Sequence, residues 1–254
     1  MAKIIAFSNQ KGGVGKTTTC VNLAAYLALS GKKVLVIDID PQGNTTTGMG
    51  VSKADLEHST YDLIRGEYEN VSDLILTTST KNLFLMPTNI DLAGAEVELV
   101  KMMDRDHVVE KALKPIINDY DYIFMDCPPS LGMLTLNALT AANSVMIPIQ
   151  SEFYALEGLT QLMNTIRLVI KHLNSGLKLE GVVLTMYDPR SLMSKQVSEQ
   201  IRKHFADKLF KTAIPRNVRL SEAPSHGVPV YLHDPRCAGA RAYSELAREF
   251  LTRQ

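Results

Sequence analysis

Residues Asn9 to Thr18 read NQKGGVGKTT, between a short apolar run (Ile4, Ile5, Ala6, Phe7) and a segment of helical character. A buried strand, a glycine-rich turn and a helix in that order commit a chain to one construction, a phosphate-holding loop at the end of a strand. Gly12, Gly13 and Gly15, with Val14 among them, let successive backbone N–H groups turn inward on an anion. Lys16 is placed to reach the β and γ oxygens of a nucleoside triphosphate, and the Thr17 hydroxyl to ligate Mg²⁺. Lys11 through Thr18 are therefore the candidate triphosphate-binding residues. The usual pattern has glycine where this chain has Gln10, and it lacks the second lysine, Lys11, that stands five residues before Lys16.

The rest of the chain agrees with that opening. Apolar runs of strand length alternate with helix-period segments from end to end, which predicts an α/β fold: a mostly parallel central sheet flanked by helices on both faces. Strands are expected over Lys3 to Ser8, Lys33 to Ile37, Leu83 to Met86, Tyr122 to Met125, Ser144 to Ile149, Leu179 to Met186 and Lys211 to Ile214. Their Val, Ile and Leu content suits strands covered on both sides. Helices are expected over Lys16 to Ser30, Asp104 to Asp119, Thr135 to Ala142, Leu156 to Asn174, Lys195 to Ala206 and Ala240 to Thr252, with Gly31 ending the first. The stretch from Thr45 to Asn82 is the least regular and reads as loops and short helices on one edge. No repeat or linker divides the chain, so residues 1–254 are expected to form one domain.

Two acidic segments extend the site. Tyr122-Ile123-Phe124-Met125-Asp126 is a strand ending in an acid, where a carboxylate beside a phosphate loop holds Mg²⁺ through a water. Val34 to Ile37 runs into Asp38-Ile39-Asp40, at the carboxyl end of a strand, where α/β sheets bind ligands. Asp40 is the candidate to orient an attacking water. Asp38 can support the metal shell or cap the turn that follows it. The cysteines, Cys20, Cys127 and Cys237, form no CxxC pair, which argues against a zinc site, a disulfide framework or an iron–sulfur carrier and suits a reducing cytosol. The N-terminal apolar stretch is too short for a signal peptide, and no run approaches the ~18 residues of a membrane span.

The segments NQKGGVGKTT, DIDPQGN, DCPPSLG and RNVRLSEAPSHG, in this order, resemble the ParA/Soj partitioning ATPases, whose deviant phosphate loop carries a lysine at each end. The resemblance implies a cytoplasmic, nucleoid-associated ATPase using ATP and Mg²⁺, in which two monomers sandwich two nucleotides. It implies that Lys11 crosses to the phosphates bound by the neighbour, like an arginine finger supplied in trans. By the same likeness Gly12 lies where two loops approach, Asp40 polarises water, and Pro215 and Asn217 contact the adenine, with Met186 a weaker candidate. A ParB-type centromere-binding protein is the implied partner that stimulates hydrolysis.

Formal net charge is zero, with 27 basic and 27 acidic residues, so nucleic-acid binding requires local asymmetry. Between Met186 and Leu220 eight basic residues face three acidic ones. The resemblance assigns Arg190 and Arg219 to non-specific DNA contacts by the ATP-bound dimer. A helix-turn-helix pattern is not present, so operator recognition is not expected. The last helix carries Tyr243, Leu246, Ala247 and Phe250 on one stripe with mixed charge elsewhere, which predicts docking on the core and no membrane targeting. One departure from the family pattern stands near the end: His233-Asp234-Pro235-Arg236-Cys237, where relatives often read Tyr-Asp-Pro-x-Ser.

Overall fold

The computed structural model describes residues 1–152 and 155–254. Seven strands form one sheet in the order β3-β4-β2-β5-β1-β6-β7: β1 Lys3–Phe7, β2 Val34–Asp38, β3 Leu76–Thr77, β4 Leu83–Met86, β5 Tyr122–Asp126, β6 Ser144–Gln150 and β7 Lys178–Thr185. All pairings are parallel except β3 with β4. β1 and β5 lie in register, Lys3 opposite Tyr122 and Phe7 opposite Asp126. β2 and β5 end together as well, Asp38 opposite Asp126. The carboxyl ends of the parallel strands therefore meet along one edge, and the loops that leave them build the site.

Alternation along the strands splits the interior into two layers. Ile5, Phe7, Val34, Val36, Phe124 and Val183 point to a core closed by α1 (Lys16–Leu29) and α11 (Ala238–Thr252). Ile4, Ala6, Leu35, Ile37, Ile123, Met125 and Val182 point to the other. That second core is covered by α3 (Thr60–Arg65), α4 (Ala95–Leu99), α5 (Val108–Leu113), α6 (Met133–Ala141), α7 (Ala155–His172) and α8 (Leu192–Phe205). Both layers are needed because strands buried on both faces leave no side for water. Three short helices complete the chain: α2 Asn44–Gly48, α9 Val218–Glu222 and α10 Val230–His233. The stripe of α11 is docked as expected, with Tyr243, Leu246, Ala247 and Phe250 buried.

Two expectations are corrected. Lys211 to Ile214 is not a strand. The carboxylate of Glu249 accepts the amides of Lys211 (2.8 Å) and Thr212 (2.9 Å), so these donors never reach the edge of β7. Only isolated bridges at Leu209 and Pro215 remain. Asp104 to Asp119 is not one helix but a 3₁₀ turn at Arg105–His107, then α5, then a 3₁₀ turn at Lys114–Ile116. Pro115, which has no N–H to continue the helical ladder, lies in the last of these. The stretch from Thr45 to Asn82 consists of loops and short helices on one edge, as expected, with the addition of a two-residue edge strand. It holds α2, α3 and β3, and α3 opens on a capping box made by Ser59 and Asp62.

Candidate functional site

The loop between β1 and α1 sets the geometry. Gly13 and Gly15 take left-handed backbone angles, φ 72° and 81°, which side-chain-bearing residues rarely adopt. Two side chains outside the motif hold the loop in place. Asn9 donates through Nδ2 to the Pro148 carbonyl (2.8 Å) while its Oδ1 accepts the Lys11 amide (3.0 Å). Thr185, at the end of β7, donates to the Val14 carbonyl (2.7 Å).

The two lysines of this loop have opposite environments. Lys16 is 7% exposed, and its ammonium donates to the Lys11 carbonyl at 3.3 Å. Burial lowers its pKa, against the pull of Asp126, Cys127 and Asp40. Lys11 stands at the rim, with 42% of its side chain exposed and its ammonium paired with Glu152. One lysine thus lies inside the cleft and the other faces out of it.

Asp126 ends β5 beneath the loop. Its Oδ2 accepts two hydroxyls, Thr17 Oγ1 at 2.6 Å and Thr45 Oγ1 at 2.8 Å. Its Oδ1 is buried and has no hydrogen-bond partner among the described residues. Burial pushes this carboxyl up to about 6, opposed by the two hydroxyls and by Lys16. A buried carboxylate oxygen without a partner, beside a threonine hydroxyl and a phosphate loop, fits a hydrated Mg²⁺. Thr17 and Asp126 are thus together, as the sequence predicts.

Asp38, the third residue offered for the metal, is engaged by protein donors. Its Oδ2 accepts the amide and hydroxyl of Thr46 (2.8 and 2.7 Å), and Oδ1 accepts the Asp40 amide at 3.3 Å. It is fully buried, does not line the cleft, and burial together with the nearby Asp126 pushes it up to about 8. Both its oxygens already have protein donors, so it fastens the turn that presents Asp40. Asp40 does line the cleft. One oxygen accepts the Gln42 amide at 3.0 Å, and the other has no protein partner among the described residues.

The cleft has a volume of about 620 Å³, walled by the phosphate loop, by Asp40 to Gly48 and by Ala223 to Val228. A second hollow of about 480 Å³ opens from it, sharing Gly15, Thr18, Met186 and Pro224. Pro215 and Asn217 line this hollow together with Met186, so the three residues that the family resemblance offers for the adenine are brought together there. Met186 takes a left-handed angle, φ 49°, just past β7. Asn217 caps α9 through Oδ1, which accepts the Arg219 amide, leaving its Nδ2 to donate. The far wall is pinned by backbone contact: a Cβ on Gly50 would lie 2.8 Å from the Gly227 carbonyl oxygen, and one on Gly227 would lie 2.6 Å from Gly50 Cα.

Arg190 and Arg219 both lie on the surface, and both are paired. Arg190 has 90% of its side chain exposed and meets Asp188 at 3.1 Å. Arg219 sits between Glu222 (2.7 Å) and Asp234 (3.4 Å). Beside it the departure from the family pattern finds a physical account. The Cys237 Sγ accepts the Ala240 amide at 3.2 Å and caps α11, the task a serine would perform there. His233 stacks on His226, ring centroids 4.7 Å apart.

Asn9, Thr45, Thr185 and Glu152 are site residues that sequence reasoning missed. Asn9 stands inside a quoted motif and Thr45 directly follows one, yet nothing in spacing tells which hydroxyl or amide will bond. Cys127 is buried behind Asp126, and burial pushes its thiol up.

Comparison with known proteins agrees with this geometry. The family described as AAA domain matches residues 2–179. The chain is 58% identical over 249 residues to the sporulation initiation inhibitor protein Soj of Bacillus subtilis, spanning 98% of each. It is 51% identical over 253 residues to the chromosome-partitioning ATPase Soj of Treponema pallidum, spanning 100% of this chain and 98% of that one. Among solved structures it resembles cobyrinic acid a,c-diamide synthase from Mycobacterium smegmatis with bound ADP and magnesium, at TM-score 0.87 and 37% identity, over 99% of this chain and 94% of that one.

Proposed function

The chain belongs to the ParA/Soj family of chromosome-partitioning ATPases, and on that premise we propose that it is an ATP-driven switch that holds DNA as a dimer and lets go on hydrolysis. The observation that carries the reading is the division of labour between two lysines of one loop, Lys16 inside the cleft and Lys11 at its rim. Lys16 and the amides of Gly12 to Thr18 take the triphosphate of their own copy. Lys11 leaves Glu152 and reaches the phosphates of a second copy, so that turnover waits for dimerisation. Met186, Pro215 and Asn217 take the adenine. Thr17, with Asp126 behind it, would hold Mg²⁺, which would supply charge neutralisation to the bound triphosphate. Asp40 accepts a hydrogen bond from the water through its free oxygen and aims it at the γ-phosphorus.

DNA binding belongs to the dimer because pairing two copies doubles the number of phosphate contacts. Arg190 and Arg219 supply part of these contacts, which follow the backbone and ignore base sequence. A ParB-type centromere-binding protein accelerates hydrolysis and thereby release.

The test is binding of a labelled random-sequence duplex with ATP and then ADP, at low and moderate salt. Wild-type protein is expected to bind only with ATP and to lose affinity steeply with salt. Lys16→Ala is expected to bind in neither state. Asp40→Ala is expected to stay on DNA with ATP and to release no phosphate; a monomeric, DNA-free Asp40→Ala protein in ATP would remove the assignment of Asp40.

A further inference from the structure

A hollow larger than the nucleotide cleft lies between α7 and the end of α8, about 830 Å³ against about 620 Å³. One wall is a stripe of α7 in which Leu156, Leu159, Met163 and Arg167 follow one another at spacings of three and four residues. Leu179 of β7 and the turn from Phe205 to Lys208 supply the rest. Leu156, Met163, Leu179 and Phe205 are half-buried on the second core, with Leu159 buried beneath them. That core therefore reaches solvent along this line.

The hollow opens into a neighbour of about 510 Å³ through Leu179, Asp207 and Lys208, which line both. The neighbour is polar. It sits at the amino edge of the sheet, where Lys3, Ser144 and Lys178 begin β1, β6 and β7, at the opposite end from the phosphate loop. Lys3 is paired with Glu180 (2.7 Å) and Arg253 with Glu249. Among the described residues Arg167, Lys178 and Lys208 have no ion-pair partner, and Asp207 is the one acid of the two linings left unpaired.

Shape and charge together name an occupant. A concavity takes a convex partner, and the stripe of α7 offers rows of side chains at the spacing into which a second helix packs its own. From Leu156 to Arg167 the stripe runs for about 16 Å, three turns of helix. A flat lipid surface cannot enter such a hollow, and a duplex gains nothing from five apolar side chains. Three unpaired cations against one acid then select a segment that carries carboxylates.

We propose that this hollow is a docking site for an amphipathic helix of another protein, about three turns long. Its apolar side meets Leu159 and Met163 of α7, and its acidic end reaches Lys178 and Lys208. The nucleotide cleft takes no part in the contact.

Three labelled helical peptides of about 14 residues probe the full chain. One has leucine on a single stripe and glutamate elsewhere, one has lysine in place of the glutamates, and one has the acidic composition scrambled so that no stripe forms. The striped acidic peptide is expected to bind at least tenfold tighter than either of the others. Met163→Glu is expected to weaken it about tenfold or more, the loss of one buried apolar anchor. Lys208→Glu, at an exposed position, is expected to weaken it severalfold, and more so at low salt. Lys171→Glu makes the same change of charge on an exposed part of α7 outside the hollow and is expected to bind as the wild type does. Melts and binding of a fluorescent ATP check that each variant is folded. The proposal is overturned if the striped acidic peptide does not bind, if the lysine or scrambled peptide binds as well, or if Met163→Glu and Lys208→Glu both bind as the wild type does. It is also overturned if those two variants lose binding of a random-sequence duplex or of anionic vesicles, or lose self-association in sedimentation, since the hollow then belongs to that occupant.

Discussion

At the scale of single residues, two buried acids govern how this protein answers to pH. Asp38 carries an ordinary pKa of 3.8 when unfolded and about 8 in place, raised first by burial and then by Asp126. Asp126 rises to about 6. Between those limits the unfolded chain gives up protons that the folded chain keeps, so stability falls as pH rises through the window. Nucleotide-free protein is therefore expected to melt at lower temperature at pH 8 than at pH 5. Asp38→Asn, which keeps an acceptor for Thr46, is expected to flatten the fall between about pH 6 and 8 and to lessen it below about 6, where Asp126 still contributes. Thermal melts of both proteins across that range check it. An unchanged slope in Asp38→Asn would mean that its carboxyl is ionised in the folded protein.

At the scale of elements, α6 shows how a helix end can depend on a distant one. Gly132, its N-cap, has no side chain to offer, and Glu96 supplies the missing acceptor from α4. Glu96→Ala is expected to cost ~1 kcal/mol, in line with loss of a cap, and to lower the melting temperature by about 2–4 °C for a chain of this size. Gly132→Ala, by displacing the same carboxylate, should do the same. Melts of the two variants and of the double variant test this, since a shared mechanism makes the losses less than additive.

The same scale explains what could be read from the chain in advance. Strands sheathed by helices on both faces announce themselves as continuous apolar runs, which is why β1, β2, β4, β5, β6 and β7 were legible. Lys211 to Ile214 has the same look, but its fate was settled by a carboxylate in the last helix, outside any local window. β3, two exposed residues long, has too little pattern to be seen. In the site, Lys16, Asp40 and Asp126 stand out in the sequence by type and position after a strand, whereas Lys11 is singled out only by the family resemblance. Thr45 and Thr185 do not stand out, since a threonine becomes informative only when its partner across space is known. Asp38 shows the converse case. A strand-end acid has the right chemistry for a metal, and only its three donors reveal that it is occupied elsewhere.

At the scale of the whole molecule, zero net charge means that the proposed contact with DNA has to come from local surface and from the number of copies bound together. Arg190 and Arg219 should then behave differently when changed. Among the described residues Arg190 is held only by Asp188, so Arg190→Ala is expected to keep the wild-type melting temperature and to lower the salt slope of DNA binding by about one unit per contact. Arg219→Glu would set a third carboxylate beside Glu222 and Asp234, and is expected to weaken DNA binding and reduce stability while ATP still drives dimerisation. Titrations of duplex over a range of salt, paired with melts and sedimentation, separate the two. Loss of dimerisation in Arg219→Glu would assign that arginine to the contact between copies.

The backbone contact of Gly50 with Gly227 has one more consequence. It clamps the stretch that follows Asp40 to the wall that closes the opposite side of the cleft, with no side chain between them to give way. The distance from the Asp40 carboxylate to the far wall is therefore a fixed gauge, like the jaws of a caliper locked at one setting. A ligand is measured by its length before any of its atoms is recognised.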